Sequence, residues 1–354
     1  MFAGCELYKN DIYAIASGNT AWDKLKNKSL LITGATGLIG TFLVDLLMHR
    51  NIRYNDNITI FAMGRSKEKA LYRFNEYLNS KFFVFVQKDI LAPLALDFPI
   101  DYIIHGASYT HPIAYASEPK NTILLSVLGT KSILDIASIS HVKRMLFIST
   151  VEIYGENRGD IDAFDEKYCG YIDCNTLRAG YPEGKRAAEA LCQAYITEKN
   201  IDITIARCSR VYGPTMGNDD SKAIAQFIKC AVKNENILLK SEGTQLYSYC
   251  YVADTCSAIL HILLNGRNGE AYNISDSSSK LTLMQIASYL SDCFKIKIDH
   301  GIPSSTELAG YSKAAKALLD CSKLKKLGWE PRYSIYEGLK RTVEILRNDT
   351  LVKL

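Results

Sequence analysis

The 354-residue chain lacks most of the features that direct a protein to a membrane, a metal or a polyanion. Its net charge is +4 and no block of lysine or arginine stands out, so neither nucleic acid nor an anionic membrane is implied as a partner. Ten cysteines are scattered from Cys5 to Cys321 without a C-x-x-C pair, the usual spacing of zinc and redox sites, and no metal is expected. They are too sparse for a secreted disulfide scaffold and read as buried or idle thiols of a reducing cytosol. The N-terminus carries Glu6, Lys9, Asp11 and Asp23 and no apolar core, so it is not read as a signal peptide. No uninterrupted apolar run approaches the ~20 residues of a membrane span, and Asp45 breaks the best candidate. A soluble cytoplasmic protein is expected.

What the chain does contain is an alternation of short apolar strands and helices. Residues 1–28 read as a helical N-terminal extension without a legible role. Leu30-Leu31-Ile32-Thr33 is a strand, followed at once by Gly34-Ala35-Thr36-Gly37-Leu38-Ile39-Gly40 and an apolar helix to about His49. Glycines in such a turn permit its tightness, the approach of backbone to a pyrophosphate and close helix–strand packing, while the helix N-terminus presents free N–H groups. Gly34, Thr36, Gly37, Leu38, Ile39 and Gly40 are therefore candidate dinucleotide contacts, in a G-x-x-G-x-x-G spacing. The second strand, Ile58 to Met63, ends without the Asp or Glu that usually accepts from the adenosine ribose. Arg65 follows instead and could meet a 2′-phosphate, stack on adenine or face water, so NAD is expected with NADP left open. Asp89 and Ile90 follow the third strand, where adenine would lie.

The fourth strand, Asp101 to Ile104, runs into His105-Gly106-Ala107-Ser108, whose small residues let the strand end lie against a cofactor; His105 is read as structural. A helix over roughly 122–139 leads to the strand Arg144–Ile148 and then to Ser149-Thr150-Val151-Glu152. Tyr181 and Lys185 begin the next helix, four residues apart and so on one face. Strands and helices in this order predict an α/β fold, a Rossmann-type doubly wound parallel sheet with ligands at its C-terminal strand ends and a smaller C-terminal α/β substrate lobe. The expected division is 29–205 for the dinucleotide-binding domain, with later segments returning to it, and 206–354 for the substrate lobe. Bringing a tyrosine from its free pKa near ~10 to about 7 takes roughly 4 kcal/mol. An adjacent Lys185 ammonium is expected to supply most of that.

Together the 33–40 turn, His105-Gly106-Ala107-Ser108-Tyr109-Thr110-His111-Pro112, Ser149–Gly155 and Tyr181-Pro182-Glu183-Gly184-Lys185 resemble the extended short-chain dehydrogenase/reductases. More narrowly, the chain is similar to the nucleotide-sugar epimerase/dehydratase/decarboxylase group over residues 29 to 345. Arg178 to Glu189 is most similar to the UDP-glucuronate decarboxylase branch. The resemblance implies an NAD-dependent enzyme that transiently oxidises a sugar ring carbon of a nucleotide-diphosphate sugar. Thr150, Glu152, Tyr181 and Lys185 are then catalytic, and Ala107, Ser149, Tyr181 and Lys185 also touch the cofactor. Ser108, Tyr109, Arg178, Ser209, Lys222 and Tyr247 are assigned to the substrate, with Lys222 and Lys316 as candidates for its diphosphate. A homodimer is implied as well.

Departures from the group's pattern lie on the substrate side. Val151 stands where the 4,6-dehydratases carry an aspartate, which disfavours simple dehydration. Tyr247 stands where the decarboxylase branch places an arginine, Ser209 and Arg210 occupy a loop that usually holds asparagine, and Tyr311-Ser312-Lys313 lies where an Arg-Pro is usual. Epimerase and decarboxylase are left open, dehydratase ranks third, and an NADPH-consuming reductase or a non-catalytic dinucleotide sensor are the alternatives.

Overall fold

The computed structural model describes the chain apart from residues 1, 3, 111, 312, 313 and 352–354, so His111, Ser312 and Lys313 of the motifs above lie outside the described residues. After helix α1 (Glu6–Ala16) come β1 (Ser29–Thr33), α2 (Leu38–Tyr54), β2 (Thr59–Gly64), α3 (Lys67–Phe74), β3 (Phe83–Gln87), β4 (Tyr102–His105), α4 (Pro112–Ser117), α5 (Pro119–Leu124), α6 (Thr130–Ile139), β5 (Arg144–Thr150), α7 (Gly180–Lys199) and β6 (Ile203–Cys208). Beyond them lie β7 (Arg210–Tyr212), α8 (Ala223–Lys233), β8 (Ile237–Leu239), β9 (Leu246–Tyr251), α9 (Val252–Asn265), β10 (Ala271–Ile274), β11 (Lys280–Thr282), α10 (Leu283–Phe294), β12 (Ile298–His300), α11 (Ser305–Gly310), β13 (Lys316–Ala317), α12 (Ser322–Lys326) and α13 (Ile335–Leu351).

Seven strands form one parallel sheet in the order β10-β6-β5-β4-β1-β2-β3. β1 is buried along its whole length, as expected of a strand covered by helices on both faces. Strand order reverses beside β1, which opens a crevice at the C-terminal ends of β1 and β4, where ligands of such sheets sit. The register sets Thr33 beside His105, His105 beside Phe147 and Thr150 beside Cys208. β10 comes back from the far half of the chain to extend the sheet next to β6. A second sheet is built around β9, which pairs with β7, β11 and β13, and β8 pairs with β12.

Two helices differ from the sequence reading. α2 continues to Tyr54, where Asn55 in the left-handed conformation ends it. The helix expected over 122–139 starts at Pro119, a residue suited to a first turn, and contains a π-helical turn at Leu125–Gly129. By length and composition this helix, Pro119–Ile139, is apolar enough to cross a membrane, whereas from sequence the segment around Asp45 is the best candidate. Half of its apolar window is buried inside the fold, and Lys131 and Asp135 pair on its outer face at 2.8 Å.

α1 is bonded into the body of the protein. Tyr8 donates to Asp45 at 2.6 Å, and the buried Asp11 accepts from Tyr251 Oη at 2.6 Å and Arg341 Nε at 2.7 Å. Burial pushes the Asp45 carboxyl up to about 6, above its unfolded value, against the hydrogen bond from Tyr8. The folded state therefore binds the extra proton between about pH 4 and 6, and stability declines as pH rises through that window. Asp45→Asn keeps an acceptor for Tyr8 and removes the titration. It is expected to stabilise at pH 8 by an amount on the order of 2 kcal/mol and to change little at pH 4. Thermal unfolding at the two pH values checks this; equal effects at both would contradict it.

Candidate active site

The β1–α2 turn is shaped by exclusion. Gly34 has φ +71°, and a Cβ there would lie 2.8 Å from the Gly106 carbonyl oxygen. A Cβ on Gly40 would lie 2.4 Å from the Gly34 carbonyl oxygen, so α2 can press against the turn only without a side chain. Gly37 is exposed and precedes α2 without a side-chain cap, leaving the first-turn N–H groups of Leu38, Ile39 and Gly40 outside the helical ladder. Such a cradle of backbone donors fits a pyrophosphate. Thr36 is half-buried beside it. Arg65 is exposed past the end of β2, its guanidinium 5.6 Å from the Tyr109 ring centre. Asp89 Oδ1 accepts the Leu91 N–H at 3.0 Å, while Ile90 is buried.

The end of β4 is held by Thr33, whose hydroxyl meets His105 Nδ1 at 2.7 Å and accepts the Gly106 and Ala107 N–H groups at 3.2 Å. His105 is buried, its other nitrogen 3.2 Å from the Thr130 hydroxyl, and burial brings its pKa down to about 3. It stays neutral and positions the strand end. Ser108 Oγ donates to its neighbour, the Tyr109 carbonyl.

β5 reaches Thr150, whose hydroxyl accepts the Glu152 N–H at 3.3 Å and caps the tight turn Val151–Tyr154. Tyr181 sits in the first turn of α7 with 7% of its surface exposed, and Lys185, one turn later, has 3%. Gly180 and Gly184 allow this approach: a Cβ would fall 3.0 Å from Ile123 and 2.9 Å from Ser126, on the helix that carries the π turn. Lys185 Nζ donates to the Ile148 carbonyl at 2.9 Å and lies 4.6 Å from the Phe147 ring centre. Burial lowers its pKa to about 8. The hydroxyls of Thr150 and Tyr115 act on the Tyr181 phenol to favour its charged form, and the Tyr115 ring stacks on it at 4.5 Å. Ser149 points to the other face of the strand from Thr150, its buried hydroxyl without a partner among the described residues.

From sequence, Lys185 is expected to draw the Tyr181 pKa down. In the polypeptide by itself the phenol is pushed well above its ordinary range, first by burial and then by the Glu152 carboxylate, and Thr150 and Arg178 offset this only in part. The Lys185 ammonium is instead engaged on the Ile148 carbonyl at 2.9 Å.

Glu152 forms an ion pair with Arg178. Burial works against its charge, but Arg178, Arg210 and Lys222 outweigh that and hold the carboxyl below its usual range. Arg178 also lies 4.6 Å over the Tyr115 ring, and Arg210 lies 3.8 Å over the Tyr247 ring. A cavity of about 100 Å³ beside Tyr181 is lined by Val151, Glu152, Arg178, Pro182 and Arg210 among others. Of the predicted substrate residues, Arg178 lines this cavity and Tyr247 supports it from below, its hydroxyl donating to the Ala314 carbonyl at 3.0 Å. Lys222 is bonded to Asp220 at 2.8 Å and Lys316 to Asp162 at 3.4 Å. Ser209 is buried, its N–H on the Ile274 carbonyl. Two residues of the site were not singled out in sequence. Tyr115 is one of 22 tyrosines with no motif around it. Arg210 was visible only as an off-pattern residue.

Residues 30–275 match the NAD dependent epimerase/dehydratase family. Over 322 residues the chain is 30% identical to UDP-glucuronic acid decarboxylase 6 of Arabidopsis thaliana, covering 91% of this chain and 89% of that protein. Among solved structures it is similar in fold to the UDP-glucose 4-epimerase of Thermotoga maritima, with 24% identity, a TM-score of 0.75, and 91% of this chain and 99% of the other covered. It is also similar to the dTDP-glucose 4,6-dehydratase of Streptomyces venezuelae, solved with NAD bound, with 22% identity, a TM-score of 0.77 and coverages of 92% and 98%. The glycine cradle, the buried tyrosine–lysine pair and the extent of these matches agree, and the chain belongs to the NAD-dependent epimerase/dehydratase family.

Proposed function

We propose that the protein modifies a nucleotide-linked sugar through transient oxidation of a ring carbon, and that the overall reaction is decarboxylation of a nucleotide-uronate, with epimerisation as the second reading. The observation that carries the oxidation step is the buried group Thr150, Tyr181 and Lys185 at the end of β5, beside the glycine cradle. Decarboxylation is supported by the relatives, which are 30% identical and named as UDP-glucuronic acid decarboxylases. Epimerisation draws support from needing nothing beyond Thr150, Tyr181 and Lys185.

NAD, when bound, supplies the hydride acceptor and later the hydride donor. Gly34, Thr36, Gly37, Leu38, Ile39 and Gly40 would hold its pyrophosphate, Arg65, Asp89 and Ile90 its adenosine, and Ala107, Ser149 and Lys185 its nicotinamide half. Tyr181 takes the proton of the sugar hydroxyl, and Thr150 hydrogen-bonds the same oxygen and fixes its direction. Because the phenol keeps its proton tightly in the polypeptide by itself, it becomes a base only with positive charge brought beside it. Once the carbon is a ketone, a carboxylate on the adjacent ring carbon makes the sugar a β-keto acid and leaves as carbon dioxide. The electron pair of the broken C–C bond passes to the ketone oxygen, where Thr150 and Tyr181 hold the resulting enolate. Glu152, kept ionised by Arg178, stands at the same pocket as a proton-transfer group. The residues beyond about 206 contribute Arg210, Ala314 and Ala317 to the substrate pocket, and ten free thiols fit a reducing cytosol. A homodimer is supported by exposed Ile123, Leu124 and Leu128 on the helix that packs against α7.

Incubation with UDP-, CDP-, GDP- and dTDP-sugars, followed by NMR and mass, is expected to show loss of carbon dioxide from a uronate; unchanged mass with inverted stereochemistry selects the epimerase reading, and turnover of none overturns the proposal. Turnover on copurified cofactor, without added NADPH, is expected and separates this chemistry from net reduction. Tyr181→Phe should lower kcat by about 10²-fold or more while retaining NAD. Gly40→Ala, which places a methyl against the Gly34 carbonyl, should lose copurifying NAD, read from absorbance and mass.

A further inference from the structure

The pocket near Tyr181 holds buried guanidinium donors that no described residue satisfies. Two guanidiniums, Arg178 and Arg210, line it together with the carboxylates of Glu152, Glu156 and Asp173; Glu156 lies 3.7 Å from Arg158, and Asp173 accepts the Asn175 N–H. Arg178 uses one nitrogen on Glu152, and its Nε and Nη1 are buried with no partner among the described residues. The Nε of Arg210 is likewise buried and unpartnered. Buried charged donors left without partners are costly, and an anionic oxygen would relieve them. Lys222, the other cation acting on Glu152, is already occupied by Asp220.

The position of Arg210 is built by strand pairing. On β7 it lies opposite Tyr249 of β9, and Tyr247, two residues along, presents its ring to the same face. The guanidinium rests 3.8 Å over that ring, and the ring is anchored by the Tyr247 hydroxyl on the Ala314 carbonyl and by β9 pairing with β11 and β13. A guanidinium stacked by its face keeps its edge free for bidentate recognition of a carboxylate. Arg178, which lines the pocket, lies over the Tyr115 ring that stacks on Tyr181, so an anion seated there is near the group that oxidises the sugar.

We infer that Arg210, carried on Tyr247 and facing Arg178, is the specificity-determining cation for a carboxylate on the substrate's sugar, so that this chain selects an acidic sugar nucleotide over its neutral counterpart; this rests on the nucleotide-sugar reading above. Tyr247 is a positioning residue.

Calorimetric binding of UDP-glucuronate, UDP-glucose and UDP to the NAD-loaded protein tests this. The wild type is expected to favour UDP-glucuronate over UDP-glucose by about tenfold or more. Arg210→Gln should weaken UDP-glucuronate by roughly 30-fold and leave UDP-glucose and UDP within about threefold. Arg210→Lys, which keeps the charge without the fork, should recover part of the loss and separates a binding effect from misfolding. Tyr247→Leu should weaken UDP-glucuronate by about fivefold, with the neutral sugar unaffected. Equal losses for all three ligands would assign Arg210 to the diphosphate and overturn the inference. Turnover of nucleotide sugars with equal affinity for the two UDP-sugars would overturn it while leaving the reading above intact. No binding of any nucleotide sugar would remove both.

Discussion

A buried ammonium governs the geometry of this protein's active region. Lys185 is held on the Ile148 carbonyl near the end of β5, and that hydrogen bond ties α7 to the central strand at the level where the sheet opens. Burying the charge is costly, and the low pKa it produces records that cost. The contact exists only because Gly180 and Gly184 let α7 lie against the helix containing the π turn, where any side chain would meet Ile123 or Ser126. One turn before the lysine, Tyr181 is thereby delivered to Thr150. The cofactor cradle on the other side of the crevice is set by the same kind of close approach, Gly34 against Gly106 and Gly40 against Gly34.

Around this frame the electrostatics pull neighbouring groups in opposite directions. Burial and the Glu152 carboxylate keep the Tyr181 phenol protonated, while Arg178, Arg210 and Lys222 keep Glu152 ionised. Arg178 joins the two, paired with Glu152 on one side and lying over the Tyr115 ring that stacks on Tyr181 on the other.

The substrate side follows a different logic from the cofactor side. Tyr247 removes a charge from the position where the resemblance would place an arginine, and Arg210 supplies one from the adjacent strand, stacked on that same tyrosine. The two departures look unrelated along the chain. They become one feature when β7 and β9 pair.

The amino-acid sequence by itself determined the parallel α/β plan, the glycine turn and the tyrosine–lysine spacing, because each is written in residues a few positions apart whose backbone freedom or helical periodicity is a local property. It also carried the family membership. Tertiary structure alone decided the rest. That α1 is bonded to α2, β9 and α13 depends on Asp11 and Asp45 meeting partners from distant segments. Tyr115 and Arg210 enter the site through stacking contacts that no spacing encodes. The sign of the Tyr181 shift was set by burial and by a neighbouring carboxylate, quantities that exist only once the chain has closed around them.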